Sequence, residues 1–189
     1  MTTKVIYQTL EFRNNNDHIK AEGPFPCMRK DAWLGVGYYF WDTFIDNAHW
    51  WGKTAYRKKY VICEAICCFD SEKCLDLYEP EYMLLFNEAA GLLHKYLGCD
   101  KDEITVSRVL DFMKNNLPQF NYEAIRINGQ RDPSIQDLNK YSSLKCSKYI
   151  FPFNPSKPEY FNSKPLIQIC LLRRNGLNLT DFQIVYSCD

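Results

Sequence analysis

The stretch Leu34–Gly52, LGVGYYFWDTFIDNAHWWG, decides how the rest of the chain is read. Gly35 and Gly37 lead directly into Tyr38-Tyr39-Phe40-Trp41. Glycine reaches backbone angles closed to other residues and lets a second chain or a ligand come close. The aromatic run has the composition of a strand over Gly35–Trp41. Alternation sends Tyr38 and Phe40 to one face and Tyr39 and Trp41 to the other. Asp42 or Thr43 suits the cap of a helix running to about Lys58, with Phe44, Ala48, Trp51 and Ala55 on one face. Such a helix aims its N-terminus at the end of the strand, where anions bind. The same spacing equally fits a turn, a core strand and a helix packed on it.

Working outward, Lys4–Leu10 and Tyr60–Phe69 have the β-rich composition of strands. Residues 13–31, with Gly23-Pro24-Phe25-Pro26, predict an irregular connection containing a short helical turn. Glu81–Leu97 reads as a helix with Tyr82, Leu85, Phe86, Ala89, Leu92, Leu93 and Tyr96 inward, stopping before Gly98. A second helix, Thr105–Asn116, turns Val106, Val109, Leu110 and Met113 inward and ends before Pro118. Tyr122–Ile127 predicts a strand followed by a turn at Asn128-Gly129. Residues 130–165 read as loop with a short strand near Lys148–Phe151. Leu166–Leu172 and Phe182–Ser187 complete the set. Strands and helices interleave without repeat or linker, which predicts one α+β domain over residues 1–189.

Composition narrows the function classes. The 23 basic and 23 acidic residues balance to a net charge of +0, so no strong overall field attracts nucleic acid or acidic lipid. A hydrophobic fraction of 46% argues against disorder. The nine cysteines are odd in number, contain no CxxC pair and several lie in apolar runs, while His18, His49 and His94 are scattered. That pattern fits reduced cysteines in a cytoplasmic protein better than a disulfide scaffold or a structural zinc site. The opening Met1-Thr2-Thr3-Lys4 has no signal-peptide pattern, and no apolar stretch reaches the ~20 residues that cross a bilayer. Neither a metal nor a membrane is an expected partner. The aromatic fraction of 15% is high and fits either a ring-rich core or a stacking site for planar ligands.

The glycine–aromatic strand and its helix resemble the second block of the ADP-ribosyltransferase fold, in particular its uncharacterised bacterial domains. There Gly-x-Gly-[Phe/Tyr]-Tyr-Phe precedes a helix bearing Ala-x-x-Trp. The matching residues are Gly35, Gly37, Tyr38, Tyr39, Phe40, Ala48 and Trp51. Val5-Ile6-Tyr7-Gln8-Thr9 resembles the first strand of that fold, and Ile167-Gln168-Ile169-Cys170 its late strand. The three blocks cover about thirty residues dispersed along the chain.

The resemblance implies mixed and antiparallel β-sheets, split around an NAD-binding groove and flanked by helices. NAD would be the substrate, and a protein or nucleic acid the acceptor of ADP-ribose, as in toxin and defence proteins. It places Tyr7, Gln8 and Thr9 beside the nicotinamide, Tyr38 or Tyr39 against its ring, and Gly35, Gly37 and Trp51 around it. Gln168 falls where the ribose-orienting residue stands. A flat cationic ring suits an aromatic wall. Cleaving the nicotinamide–ribose bond builds positive charge on the sugar, which a carboxylate stabilises. Here Gln8 replaces the usual histidine, Thr9 the following glycine, and Gln168 the closing glutamate. Glutamine can orient a ribose hydroxyl but supplies no charge. The alternative to a transferase is therefore a catalytically degenerate module on the same fold, binding a nucleotide or a protein partner. A third reading puts every aromatic in the core.

Candidates to replace the missing acid are few. Glu64, inside the strand YVICEAICC, is either a groove-facing acid or a solvent-facing residue. Glu123 and Arg126 alternate to opposite faces of a strand and do not pair with each other. Arg126 suits a phosphate or an open surface. Asp181 reads as a turn cap, Arg173-Arg174 as a turn, and Arg57-Lys58-Lys59 as complements to a helix dipole. One ring of Trp50-Trp51 is expected to pack and the other to be exposed. Cys67-Cys68 has no histidine nearby in sequence to activate a thiolate.

Overall fold

In the computed structural model of the chain, the first strand, β1 (Thr2–Glu11), pairs antiparallel along its whole length with β3 (Tyr60–Phe69). The structure describes residues 1–29, 31–98, 104–128, 148–150 and 160–188. The turn expected at Asn128-Gly129 and most of the loop predicted over 130–165 lie outside the described residues.

The remaining strands are β2 (Tyr38–Asp42), β4 (Cys74–Asp76), β5 (Ala124–Ile127), β8 (Gln168–Leu171) and β9 (Thr180–Ser187). With β1 and β3 they form one seven-stranded sheet in the order β4-β5-β8-β2-β1-β3-β9. The β4–β5 pair is parallel and every other pair is antiparallel. Two short strands, β6 (Lys148–Ile150) and β7 (Tyr160–Asn162), form a separate antiparallel two-stranded sheet. The protein is therefore a single α+β domain on a mixed sheet.

The split sheets expected from the resemblance are not separate: β1–β2 pairing joins a β4-β5-β8-β2 half and a β1-β3-β9 half into one continuous sheet. β2 pairs with β8 over Tyr38–Trp41, whereas β1 and β2 share only Ile6↔Asp42 and Tyr7↔Trp41. Past Tyr7 the pairing stops, and Gln8 and Phe40, next in register, open a fork between the halves. Opposed residues share a face. Thr9, Tyr39, Trp41 and Gln168 consequently lie on one face, and Gln8, Tyr38 and Phe40 on the other.

The first face carries α2 (Ile45–Ala55), α3 (Pro80–Leu97) and α4 (Val106–Asn116). Ala48 of α2 packs on Trp41, Tyr60 and Ile62. Ala89 and Leu93 of α3, with Val109, Leu110 and Met113 of α4, pack on Leu75, Ile125 and Cys170. The other face is covered by α1 (Asn16–Glu22) and a 3₁₀ turn at Gly176–Asn178. The helix α1 fills the short helical turn predicted within 13–31.

Several sequence expectations shift. Leu92 and Tyr96, placed inward by periodicity, are 51% and 81% exposed, because α3 buries only the Ala89–Leu93 side of a wide apolar face. The helix after β2 starts at Ile45 with Phe44 at its cap, and neither Asp42 nor Thr43 caps it. Asp42 is drawn instead into a buried ion network, and Thr43, with φ 63°, turns its hydroxyl onto the Asp42 carboxylate at 2.8 Å. The helix ends at Ala55 because Arg57 and Lys58 both take positive φ. Arg126 is neither at an open surface nor free for phosphate: Nε donates to Asp42 at 2.7 Å and Nη1 to Asp76 at 2.8 Å. Asp181 lies inside β9 with φ 55°, at a register irregularity, rather than capping a turn.

Candidate functional site

The fork between β1 and β2 opens into a cleft of about 600 Å³. Its walls come from β1 (Gln8, Thr9, Glu11), β2 (Tyr39, Trp41), β8 (Gln168), α2 and its end (Trp51, Tyr56), and the connection after α1 (Phe25, Trp33). Volume and aromatic lining match what small-molecule sites require. Trp41 anchors the ring cluster, 6.0 Å from Trp50 edge-on and 6.4 Å from Trp51. Both tryptophans of the pair are half-buried, so neither is the fully exposed ring expected from sequence.

The polar side chains of Gln8, Thr9, Tyr39 and Trp33 in the cleft each have a definite partner. The Gln8 side chain is 3% exposed; its amide donates to the Phe25 carbonyl at 2.8 Å and accepts from the Phe25 N–H at 3.0 Å. In effect Gln8 supplies the hydrogen bonds that a neighbouring strand would give residue 25. The Thr9 hydroxyl donates to the Ala48 carbonyl of α2 at 3.1 Å. The Tyr39 hydroxyl accepts from the Leu34 N–H at 3.0 Å and donates to the Gly35 carbonyl at 2.8 Å. Burial, with the Cys170 thiol nearby, holds this phenol well above its ordinary pKa. The Trp33 indole N–H donates to Gln168 Oε1 at 3.0 Å, and Gln168 is 7% exposed.

Charge is confined to other lining residues. Arg29 grips Asp31 bidentately at 2.8 and 2.6 Å, and Arg13 Nε donates to Glu11 at 2.8 Å. Glu11 and Asp31 are the carboxylates in the lining, and each already holds an arginine. Burial raises the pKa of Tyr56, opposed in part by a hydrogen bond from Trp51 and by the nearby Arg29 charge.

Of the residues singled out from sequence, Gln8, Thr9, Tyr39, Trp51 and Gln168 converge on this cleft. Tyr7, Gly35, Gly37, Tyr38 and Glu64 do not line it. Tyr38 faces the opposite core with Ile6 and Phe40. Glu64 is half-buried and opposes Tyr7 across the β1–β3 pair; burial, then the Glu64 charge and hydrogen bond, raise the Tyr7 pKa. Gly37 is required by packing, since a Cβ there would lie 2.4 Å from Cys170 Sγ and 2.8 Å from the Leu171 carbonyl. Gly35 takes φ 83°, a turn conformation that L side chains rarely adopt.

Sequence reading missed Phe25, Tyr56 and the paired arginines, while Trp33, just before the glycines, was legible as a binding-loop aromatic. The missed residues gave no local signal: Phe25 and Arg29 come from the long connection between α1 and β2, Arg13 from just past β1, and Tyr56 from the end of α2. Among the described residues, no group of His, Cys, Asp or Glu is placed to hold a metal, and no helix is long and apolar enough to cross a membrane. No protein-family model, curated protein or solved structure matches the chain.

Proposed function

We propose that this protein is an ADP-ribosyltransferase-like module that binds NAD in the cleft at the β1–β2 fork. The observation that carries the reading is the meeting of Gln8, Thr9, Tyr39, Trp51 and Gln168, from four separate elements, on one aromatic-lined cavity. The nicotinamide ring lies against Tyr39 and the tryptophans, where its positive charge meets ring faces. The ribose reaches Gln168, and the diphosphate runs outward toward Arg13 and Arg29, where it competes with Glu11 and Asp31 for the guanidinium groups.

The same geometry favours binding over rapid transfer. Oxocarbenium-like charge on the ribose needs a carboxylate close by. Gln168 is neutral, Glu64 shares its sheet face but lies outside the cleft against Tyr7, and Glu11 and Asp31 are engaged by arginines. The degenerate module foreseen from the two glutamines is thus the form of the reading we adopt, with transfer of ADP-ribose to a protein or nucleic acid as the activity it would regain.

Intrinsic fluorescence tests it directly, since Trp33, Trp41 and Trp51 all line the cavity. NAD should quench the emission saturably, and Tyr39→Ala should remove the response. Nicotinamide release from NAD should be slow in the natural protein and faster in Gln168→Glu. Saturating NAD that leaves both fluorescence and melting temperature unmoved refutes the reading.

A further inference from the structure

The connection from α1 to β2 crosses the cleft in two described pieces, Gly23–Arg29 and Asp31–Gly37, and its ends are held differently from its middle. At one end Gln8 takes both backbone polar groups of Phe25, whose ring packs with Ile19, Val61 and Cys63. At the other, Leu34 is fully buried and the Tyr39 hydroxyl holds the Leu34 N–H and the Gly35 carbonyl. Between these anchors Met28 is 71% exposed and Arg29 and Asp31 grip each other. Trp33 ties this middle to the sheet through Gln168. An indole nitrogen can only donate, so the Gln168 atom it meets is the amide oxygen, and the amide NH₂ points away from it.

We propose that Trp33 is a displaceable latch: Gln168 is only 7% exposed with the indole hydrogen-bonded to its amide oxygen, and a ligand that donates a hydroxyl to that oxygen reaches it by moving the ring aside. The proposal rests on the reading of the cleft as a nucleotide site, because a ribose supplies such a hydroxyl. The latch is one neutral hydrogen bond, which a sugar hydroxyl replaces in kind, so the exchange is close to balanced. The permanent anchors use Gln8 and Tyr39, which explains why two side chains expected at the ligand hold backbone instead. Releasing Trp33 moves the middle piece while Phe25 and Leu34 stay in place.

The experiment has an arm that needs no ligand. Amide exchange is followed at Ala32 and Gly35, whose N–H groups bond the Arg29 and Ala32 carbonyls, while Leu34, held by the Tyr39 hydroxyl, serves as the anchored control that should not change. Trp33→Phe keeps a ring but removes the donor, and Gln168→Leu removes the acceptor from the other side. Each should speed exchange at Ala32 and Gly35 at least fivefold while the β1–β3 ladder is unchanged. NAD should bind Trp33→Phe at least threefold more tightly than the natural protein. Unchanged exchange in both variants overturns the latch, as does equal NAD affinity in the two proteins, which leaves the dinucleotide reading standing. Faster exchange with no NAD binding to either protein sustains the latch and removes NAD as its ligand.

Discussion

Arg126 and Asp42 are 84 residues apart in the chain and 2.7 Å apart in the fold. Asp42 is 2% exposed and also meets Lys4 at 3.2 Å, while Arg126 reaches on to Asp76 and lies over the Tyr78 ring at 5.2 Å. Two acids and two bases cancel on the sheet face opposite α2, α3 and α4, where Asp42 opposes Ile6. Burial alone would raise the Asp42 pKa, but hydrogen bonds from Arg126 and Thr43 and the charge of Lys4 outweigh it and hold the carboxyl below its usual range. Its folded pKa thus lies below the unfolded value of ~3.9, so the stability it confers is complete above that value and drains away as pH falls further. Removing one partner of a buried pair costs about 3–5 kcal/mol. Asp42→Asn should lose stability on that order at pH 7 in denaturant melts, and the deficit should shrink at pH 3.

Two helical glycines should respond to alanine with opposite signs. Gly91 on α3 has nothing within 4 Å of a built Cβ, so Gly91→Ala should gain the helix-propensity difference of about 1 kcal/mol. Gly52 on α2 faces the Tyr60 ring, 2.3 Å from a built Cβ. Tyr60 is itself 2% exposed and has nowhere to move, so overpacking of about 1–3 kcal/mol outweighs the same propensity gain. Gly52→Ala should lower the melting temperature and Gly91→Ala raise it.

These contrasts bear on what was legible in the sequence. Local period and composition located β1, β3, α3 and α4, because a strand or helix buried on one face writes its own pattern. β4, three residues long, is too short to alternate and exists because β5 pairs with it. Alternation separated Tyr38 from Tyr39 but could not say which faced the cleft, since that depends on where the fork opens. The Trp33–Gln168 contact spans 135 residues, and no local pattern announces it. Gln8 was legible as a site position by resemblance, yet its bonds to Phe25 depend on the path of the connection.

The cysteines should sort by burial. Cys63, Cys67, Cys74 and Cys170 are fully buried, whereas Cys27, Cys68 and Cys188 are half-buried. Burial pushes the thiols of Cys63, Cys67 and Cys170 up to about 12, which leaves almost no thiolate at pH 8. Iodoacetamide at that pH, read by peptide mass spectrometry, should modify Cys27, Cys68 and Cys188 well before any of the four. Early labelling of Cys170 would mean that the core beneath Tyr39 opens readily.

His49 should give stability a slope near neutral pH. Its Nδ1 lies 2.9 Å from the Tyr60 hydroxyl and its ring 4.7 Å from that of Tyr186. Burial, then the Lys53 charge, lower its pKa, with Asp46 opposing. The unfolded chain therefore takes a proton at higher pH than the folded one. Stability is full above the unfolded pKa of ~6.5 and falls as pH drops toward the folded value. Denaturant midpoints measured from pH 5 to 7 should rise with pH, and His49→Phe should flatten that rise.

Gln8 allows the sharpest test of how the fork is held. Gln8→Leu leaves the Phe25 N–H and carbonyl without partners in a site the side chain now fills with carbon, a loss of about 1–3 kcal/mol for each stranded group. Gln8→Glu keeps an acceptor for the N–H but sets a carboxylate oxygen against the Phe25 carbonyl where the donor stood at 2.8 Å. Lone-pair repulsion then replaces a hydrogen bond, so the carboxylate must take up a proton or the connection must move. Gln8→Glu should accordingly recover stability as pH falls toward 5, while Gln8→Leu stays equally weak across that range. Thermal melts at pH 5 and 8 separate the two, and a Gln8→Glu protein as stable as the natural one at pH 8 would show that Phe25 is held by its ring alone.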